Sequence, residues 1–212
     1  MDQAQKRQDE IADAALRVLG LLGARGLTHR AVDAHANLPA GSTSYYCRRR
    51  IDLIGLALQR HATLDHLALE GLAAAYEARR GAWGASEDGV AWLAMALHRW
   101  MRTQDAVLLA ARFELFMAVS REPTLSAVIK QTRQRFGATL AGILSAGGAS
   151  HCRELTAQVI AYMEGLLLER IRLGRLVVTR SQFLRSLRAL LHAHSAPATL
   201  GVLAQDSEPP AN

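Results

Sequence analysis

Residues 28–53 read THRAVDAHANLPAGSTSYYCRRRIDL, and this stretch predicts two short helices joined by a tight turn. Thr28 precedes the first helix, where a threonine oxygen can accept a hydrogen bond from a free N–H group of the first turn. Asn37 tolerates the left-handed backbone that such a turn requires. Pro39 lacks an N–H and has a preset φ, which suits the first turn of a second helix reaching about Cys47.

Three consecutive arginines follow this helix–turn–helix, and the combination suits the major groove of DNA. We predict that tyrosines and arginines contact phosphates and that small polar residues of the second helix read bases. Arg30 is either a reader of guanine or a partner of phosphate or of Asp33. A solvated cationic turn is the alternative for the arginines. The predicted DNA-binding residues are Thr28, Arg30, Ala40, Gly41, Ser42, Thr43, Tyr45, Tyr46, Arg48, Arg49 and Arg50, with Ser44 as a further base reader.

The same stretch resembles the DNA-binding module of the TetR family of bacterial transcriptional regulators. The matching positions are Thr28, Val32, Ala36, Leu38, Gly41, Ser42, Tyr45, Tyr46, Arg50 and Leu53. Three positions depart from the family pattern: Asp33 replaces a small residue, Asn37 the turn glycine and Cys47 an aromatic. A weaker resemblance continues through ARFELFMAVSREP (111–123) and MEGLLLERI (163–171), which are similar to segments of the ligand-binding and dimerisation domain.

The composition limits the other possibilities. Half of the 212 residues are hydrophobic, which is enough for a sizeable core, and the net charge of +6 favours a polyanionic partner. The two cysteines form no paired zinc motif, and no apolar run approaches membrane-spanning length. The polar N-terminus has no apolar signal core, so we expect a cytoplasmic protein without a membrane partner.

The pattern of apolar residues and helix breakers predicts an all-α fold of about nine helices. We expect a DNA-binding head over residues 1–53, an effector-binding and dimerisation body over 54–195, and a disordered tail over 196–212. The expected helices are 7–24, the two short helices of the head, 50–79, 87–102, 105–120, one opened by Pro123, one capped by Ser150 and ending near Leu173, and one capped by Thr179 or Ser181 and ending near His194.

The body contains aromatic and sulfur-containing residues that we predict to line a ligand cavity, with Arg112 and Glu114 as polar anchors. Ordinary core packing is the alternative for each of them. These residues fall in the predicted helices where the resemblance places the ligand pocket, and we expect a mostly apolar or aromatic effector, which could carry a carbonyl or carboxylate. The predicted ligand-binding residues are Trp92, Trp100, Arg112, Phe113, Phe116, Met117, Phe136 and Met163.

The eighth predicted helix is apolar on two sides, which is typical of a helix that packs on two partners. One partner would be its own core, and the resemblance implies that the other is a second copy of the chain. The alternative is a helix buried wholly within one chain. The predicted dimer contacts are Leu155, Val159, Leu166, Phe183, Leu187 and Leu190.

No residue pattern indicates catalysis, a metal site or a cofactor. The histidines lack ligand spacing, and the carboxylates Glu114, Glu164 and Glu169 are scattered. Cys47 lies beside three arginines, so it either has a lowered pKa and senses oxidants or fills a small apolar slot. We therefore expect a ligand-responsive, homodimeric repressor of a palindromic operator. An architectural DNA-binding protein without an effector and, less favoured, a helical enzyme are the alternatives.

Overall fold

The computed structural model describes residues 3–81, 86–146 and 152–195, and in these ranges the chain is helical, without a strand. The helices are α1 (Gln3–Gly26), α2 (His29–His35), α3 (Ser42–Tyr46), α4 (Arg50–Arg80), α5 (Ser86–Thr103), α6 (Ala106–Val119), α7 (Ser126–Ala146), α8 (Cys152–Leu173) and α9 (Arg180–Ser195), with a short 3-10 turn at Pro123–Leu125. The predicted all-α fold is confirmed. The predicted cap Ser150 and the tail 196–212 lie outside the described residues.

Side-chain caps define the starts of several helices. The Thr28 Oγ1 accepts a hydrogen bond from the Ala31 N–H at 3.1 Å. At α9, the Thr179 N–H donates to the Gln182 side chain at 2.8 Å, while the Thr179 Oγ1 accepts from the Gln182 N–H at 3.3 Å. Both threonines therefore cap their helices as the sequence predicts.

The second helix of the helix–turn–helix, α3, is shorter than predicted. It begins at Ser42, because Gly41 has a φ of 92°, a left-handed conformation that a helix starting at Pro39 could not accommodate. The Pro39 carbonyl instead accepts hydrogen bonds from the Ser42 N–H and hydroxyl. Asn37 has a φ of 52°, which confirms the predicted left-handed turn.

The long helix α4 joins two hydrophobic cores. Its 31 residues span roughly 45 Å, with Leu53 and Leu58 in the first core and Tyr76 in the second. The first core combines α1 to α4 with three residues of α6, and the second lies among α5, α7, α8 and α9. None of the helices in the described ranges is long and apolar enough to cross a bilayer.

Candidate DNA-binding surface and effector pocket

Asp33 fastens the two short helices of the head together. Its carboxylate is buried and accepts hydrogen bonds from the Gly41 N–H at 2.8 Å, the Thr43 N–H at 2.7 Å and the Thr43 hydroxyl at 2.6 Å. Burial raises the pKa of Asp33, but the hydrogen bonds from Thr43 and Gly41 together outweigh it, and the pKa is lowered. The acid thus caps α3 from α2, which gives this departure from the family pattern a structural role.

The same arrangement corrects the prediction for Thr43. Its side chain is fully buried and its hydroxyl is bonded to Asp33, so it cannot reach a base edge. The outer side of this segment instead presents Ala40 and Ser44, and Tyr45 is 82% exposed. The half-buried Tyr46 packs edge-on against the Tyr45 ring, with the centroids 5.1 Å apart. Gly41 is exposed in the turn, Ser42 is half-buried, and Thr28 and Arg30 are exposed beside α2.

The three arginines differ in what they already bind. Arg49 forms an ion pair with Asp52 at 2.7 Å in a capping box at the start of α4. Arg50 donates to the backbone carbonyl of Ala24 near the end of α1. Arg48 is exposed and has no ion pair with a described residue. Of the three, Arg48 is therefore the one that can meet a phosphate without giving up a partner.

Cys47 is a buried structural residue. Burial raises the pKa of its thiol, and the nearby carboxylate of Asp52 raises it further. A reactive thiol needs the opposite shift, because the thiolate is the nucleophile. The hypothesis of a lowered pKa at Cys47 is therefore wrong, and the residue fills an apolar slot of the first core.

A pocket lies in the body where α4, α6, α7 and α8 meet. It contains five of the eight predicted ligand-binding residues: Trp100, Arg112, Phe116, Phe136 and Met163. The remaining lining residues are Leu58, His61, Ala62, Asp65, Ile129, Thr132, Arg133, Ile160, Glu164 and Leu167. The cavity volume is about 40 Å³, which is room for about three water molecules.

The other three predicted ligand-binding residues do not line this pocket. Trp92 packs against the Tyr76 ring, and Phe113 packs in the second core. Met117 is 58% exposed. Met117 follows Phe116 directly and so points away from the pocket, while the Phe113 ring packs edge-on against the Phe116 ring, with the centroids 6.1 Å apart, without lining the pocket itself. Glu114 is not a pocket anchor either, since its Oε2 accepts from the Ala24 N–H at 3.0 Å.

Arg112 is the central polar group of the pocket. Its Nη1 lies 2.6 Å from Asp65 Oδ2 and its Nη2 lies 3.9 Å from Glu164 Oε1. Its guanidinium carbon lies 4.9 Å from the centre of the Phe116 ring, within cation–π range. The Arg112 Nε is buried and has no hydrogen-bond partner in the part of the chain that the structure describes. Glu164 also pairs with Arg133, at 3.1 Å.

His61 is the remaining ionisable group of the pocket, with its Nδ1 3.5 Å from Asp65 Oδ2. Burial is the largest influence on His61 and lowers its pKa. Asp65 opposes this shift, and Arg112 adds to it. His61 is therefore neutral at pH 7.

Sequence reasoning missed the two pocket carboxylates. A signal existed for Asp65: it lies in the apolar stripe of α4 between Leu58 and Leu69, where an acid is out of place.

Two wider grooves adjoin the pocket and share Asp65 and Phe136 with it. One, of about 370 Å³, lies between α4 and α5, and the other, of about 300 Å³, lies between α4 and α7.

Most of the predicted dimer contacts belong to the chain's own second core. Leu155, Val159, Phe183 and Leu187 are at most 1% exposed, and Leu166 is 7% exposed. Because α8 packs against α6, α7 and α9, both of its apolar rows are largely covered within one chain. Leu190 is only partly buried. The outward face of α8 carries other residues, namely Ala157, Ala161, Gly165 and Leu168.

Comparison with known proteins agrees with this architecture. Residues 84–194 match the model of the tetracyclin repressor-like C-terminal domain. The chain therefore belongs to the TetR family of ligand-responsive transcriptional regulators. No curated protein matches it.

Several solved structures of other proteins align with most of this chain. The multidrug binding protein EbrR complexed with imidazole is 25% identical, with a TM-score of 0.63, covering 93% of this chain and 94% of that one. EbrR complexed with ethidium is 28% identical, with a TM-score of 0.61, covering 87% and 97%. A TetR-family member from Streptomyces coelicolor A3 is 26% identical, with a TM-score of 0.60, covering 87% and 98%. EbrR has also been solved with proflavin and with malachite green.

Proposed function

We propose that the chain is a homodimeric repressor that binds a palindromic operator and leaves it when a small, largely apolar aromatic effector enters the pocket. The observation that carries this proposal is that one helix, α6, both lines the pocket and packs on the DNA-binding head. Arg112 and Phe116 face the pocket, while Ala111 and Leu115 on the same helix lie in the first core with α1.

The contact between α6 and α1 is close enough to transmit a displacement. A Cβ atom at Gly20 would lie 2.0 Å from the Val107 carbonyl oxygen, so the two backbones touch. Arg17 pairs with Asp105, the cap of α6, at 2.6 Å. An effector that moves α6 would therefore move α1 and the head, and it would weaken operator binding if it favours the displaced conformation.

On the DNA side, the exposed residues of the turn and of α3 would enter the major groove. Ala40 and Ser44 are the candidates for base contacts, and Tyr45 and Arg48 for phosphate contacts, while the half-buried Ser42 could read a base only by releasing the Pro39 carbonyl. Two heads would have to lie roughly 34–36 Å apart to meet successive major grooves on one face of the duplex.

An aromatic effector is supported by the pocket walls and by the neighbouring structures. Trp100, Phe116 and Phe136 offer aromatic surfaces and Met163 a polarisable one. EbrR, which resembles this chain over most of its length, has been solved with the multi-ring dyes ethidium, proflavin and malachite green.

The dimer is proposed to form through the outward face of α8. Ala157, Ala161 and Gly165 are spaced four residues apart on one side of the helix, and the side chains there are small. Small side chains let a second helix approach closely, while Leu168 adds an exposed apolar group at the end of the row.

The test is selection of the operator from random DNA with the full-length protein, followed by mobility-shift titration with the aromatic dyes. We expect a palindromic consensus and release of the bound DNA by at least one dye that calorimetry shows to bind the protein. Arg102→Met, an exposed change on α5, is the control. Sequence-independent binding that no bound dye alters would overturn the proposal and favour an architectural DNA-binding protein.

A further inference from the structure

The effector pocket already contains a planar cation, the guanidinium of Arg112. This group lies over the Phe116 ring at 4.9 Å and contacts Asp65 at 2.6 Å, with Glu164 at 3.9 Å. An aromatic face together with carboxylates is the environment that binds organic cations. The Arg112 guanidinium is not fully satisfied there, because its buried Nε has no hydrogen-bond partner among the described residues.

The charges of the pocket balance only while Arg112 is in place. The two carboxylates, Asp65 and Glu164, face two guanidiniums, Arg112 and Arg133, and His61 is neutral. Arg133 is half exposed and pairs with Glu164. If the Arg112 guanidinium leaves, the pocket has one uncompensated negative charge, which a monocation would neutralise and an anion would aggravate.

A dye-sized ligand also needs more room than this pocket encloses, so it either extends into the adjoining grooves at Asp65 and Phe136 or displaces a side chain. The cavity of about 40 Å³ is far below the roughly 300 Å³ or more typical of a pocket that encloses a small molecule. Arg112 has a long unbranched stem that can swing out as a unit, and a cationic ligand would take over the ion pair with Asp65 that its departure breaks.

From this geometry we propose that Arg112 is an internal substitute for the effector. The effector is a planar aromatic monocation whose charge replaces the Arg112 guanidinium beside Asp65 and Glu164, with its ring against Phe116. The inference rests on the proposed function for the location of the effector, and it adds the charge of the ligand and the residue that competes with it.

The test uses three probes of similar three-ring size. Proflavin is a cation, acridine is neutral at mildly alkaline pH, and anthracene-9-carboxylate is an anion. Their affinities are measured by fluorescence titration for the wild type and for Arg112→Met, Arg112→Lys and Asp65→Asn. Arg102→Met, the same type of substitution outside the pocket, is the control.

We expect the wild type to prefer proflavin. Arg112→Met should bind proflavin about tenfold more tightly, because the internal competitor is gone, whereas Asp65→Asn should bind it about tenfold more weakly. Arg112→Lys should stay near the wild type, since it retains the competing charge. A rise in proflavin affinity on substitution of Arg112, together with a fall on substitution of Asp65, indicates that Arg112 and the dye compete for the same carboxylate.

Two results would overturn the inference. One is an equal or weaker affinity of Arg112→Met for proflavin, and the other is a wild-type preference for the anion or the neutral probe. If Arg112→Met unfolds because it leaves Asp65 unpaired, the double variant Arg112→Met/Asp65→Asn tests the inference instead. It should bind acridine more tightly than the wild type does, and an unchanged acridine affinity would count against the inference. Dye-induced operator release with the wrong charge preference would leave the proposed function standing.

Discussion

Asp33 is the residue on which the geometry of the DNA-binding head most depends. It is buried, and its three hydrogen bonds all go to Gly41 and Thr43. We expect Asp33→Asn to lower the free energy of unfolding by about 1–3 kcal/mol, because the buried network loses its charge and one of its two acceptor oxygens. Urea denaturation at neutral pH measures this. Ser42→Ala, which removes a single exposed hydroxyl bond to the Pro39 carbonyl, should cost much less.

The effect of Asp33 should depend on pH in a defined direction. Folding lowers its pKa, so its contribution is present above the unfolded-chain pKa of about 3.9 and is lost as the pH falls through the lower folded-state pKa. The difference in stability between wild type and Asp33→Asn should therefore shrink when the denaturation is repeated at about pH 3. If this difference in stability stayed the same at both pH values, the carboxylate charge would not be what stabilises α3.

Arg48 and Arg49 are adjacent but should behave differently on DNA. Arg48 lacks an ion pair with a described residue, whereas Arg49 is paired with Asp52. We expect Arg48→Ala to reduce the slope of log affinity against log salt by about two, roughly one for each head of the dimer. Arg49→Ala should change that slope less, because its charge is already compensated. Operator titrations over a range of salt concentrations compare the two, and equal slopes would remove the distinction.

At the scale of elements, the contact of α1 with α6 is the junction between head and body. Gly20→Ala would force its Cβ against the Val107 carbonyl oxygen, and we expect a loss of about 1–3 kcal/mol as the helices separate. Operator affinity should fall as well, since the head is reoriented. Thermal denaturation and mobility shift give both readouts.

Gly71→Ala is the matched control for that experiment. Gly71 is exposed on α4, and a Cβ there would meet nothing within 4 Å. The substitution should raise stability by about 0.5–1 kcal/mol, because alanine is the better helix former. If both glycine variants behaved alike, the close approach of α1 and α6 would not be a determinant of the fold.

At the scale of the whole molecule, the dimer proposal singles out Gly165. It lies on the outward face of α8, and a Cβ there would have no atom of the described residues within 4 Å. We expect Gly165→Glu to weaken dimerisation at least about hundredfold by burying a charge between two copies, while the helical content stays unchanged. Sedimentation equilibrium and circular dichroism measure the two.

The equally exposed Gly142 on α7 provides the control. Gly142→Glu should leave the mass of the assembly as it is in the wild type. If both glycine variants had the same assembly mass, the dimer contact would have to lie on a surface other than the outward face of α8. Leu187→Glu, by contrast, should unfold the chain, because Leu187 is 1% exposed in the monomer.

Local stereochemistry explains which features could be predicted from the sequence. Thr28, Asn37 and Thr179 act within a few residues of their own position, so their types suffice to predict a cap or a turn. The pocket was predictable in part, since Trp100 and Phe136 are the large side chains such cavities use. Asp65 and Glu164 were missed because they are far apart in sequence and are brought together only around Arg112 of α6.

It was harder to predict which neighbour covers each face of a helix. The two apolar rows of α8 have the pattern of a helix with two partners, but α6, α7 and α9 of the same chain cover most of both rows. The pattern alone does not distinguish neighbours in the same chain from a second copy. Thr43 is a similar case, because its hydroxyl satisfies an acid on the preceding helix instead of facing outward.

The first core also bears on how such proteins can be recombined. Ala111, Leu115 and Val119 of α6 lie in one cluster with α1 to α4, so the hydrophobic interior crosses the predicted boundary at residue 53. A chimera that exchanges only residues 1–53 would place a foreign α1 against this α6. A working exchange has to carry the facing side of α6 with it, so the smallest transferable unit is discontinuous in the chain.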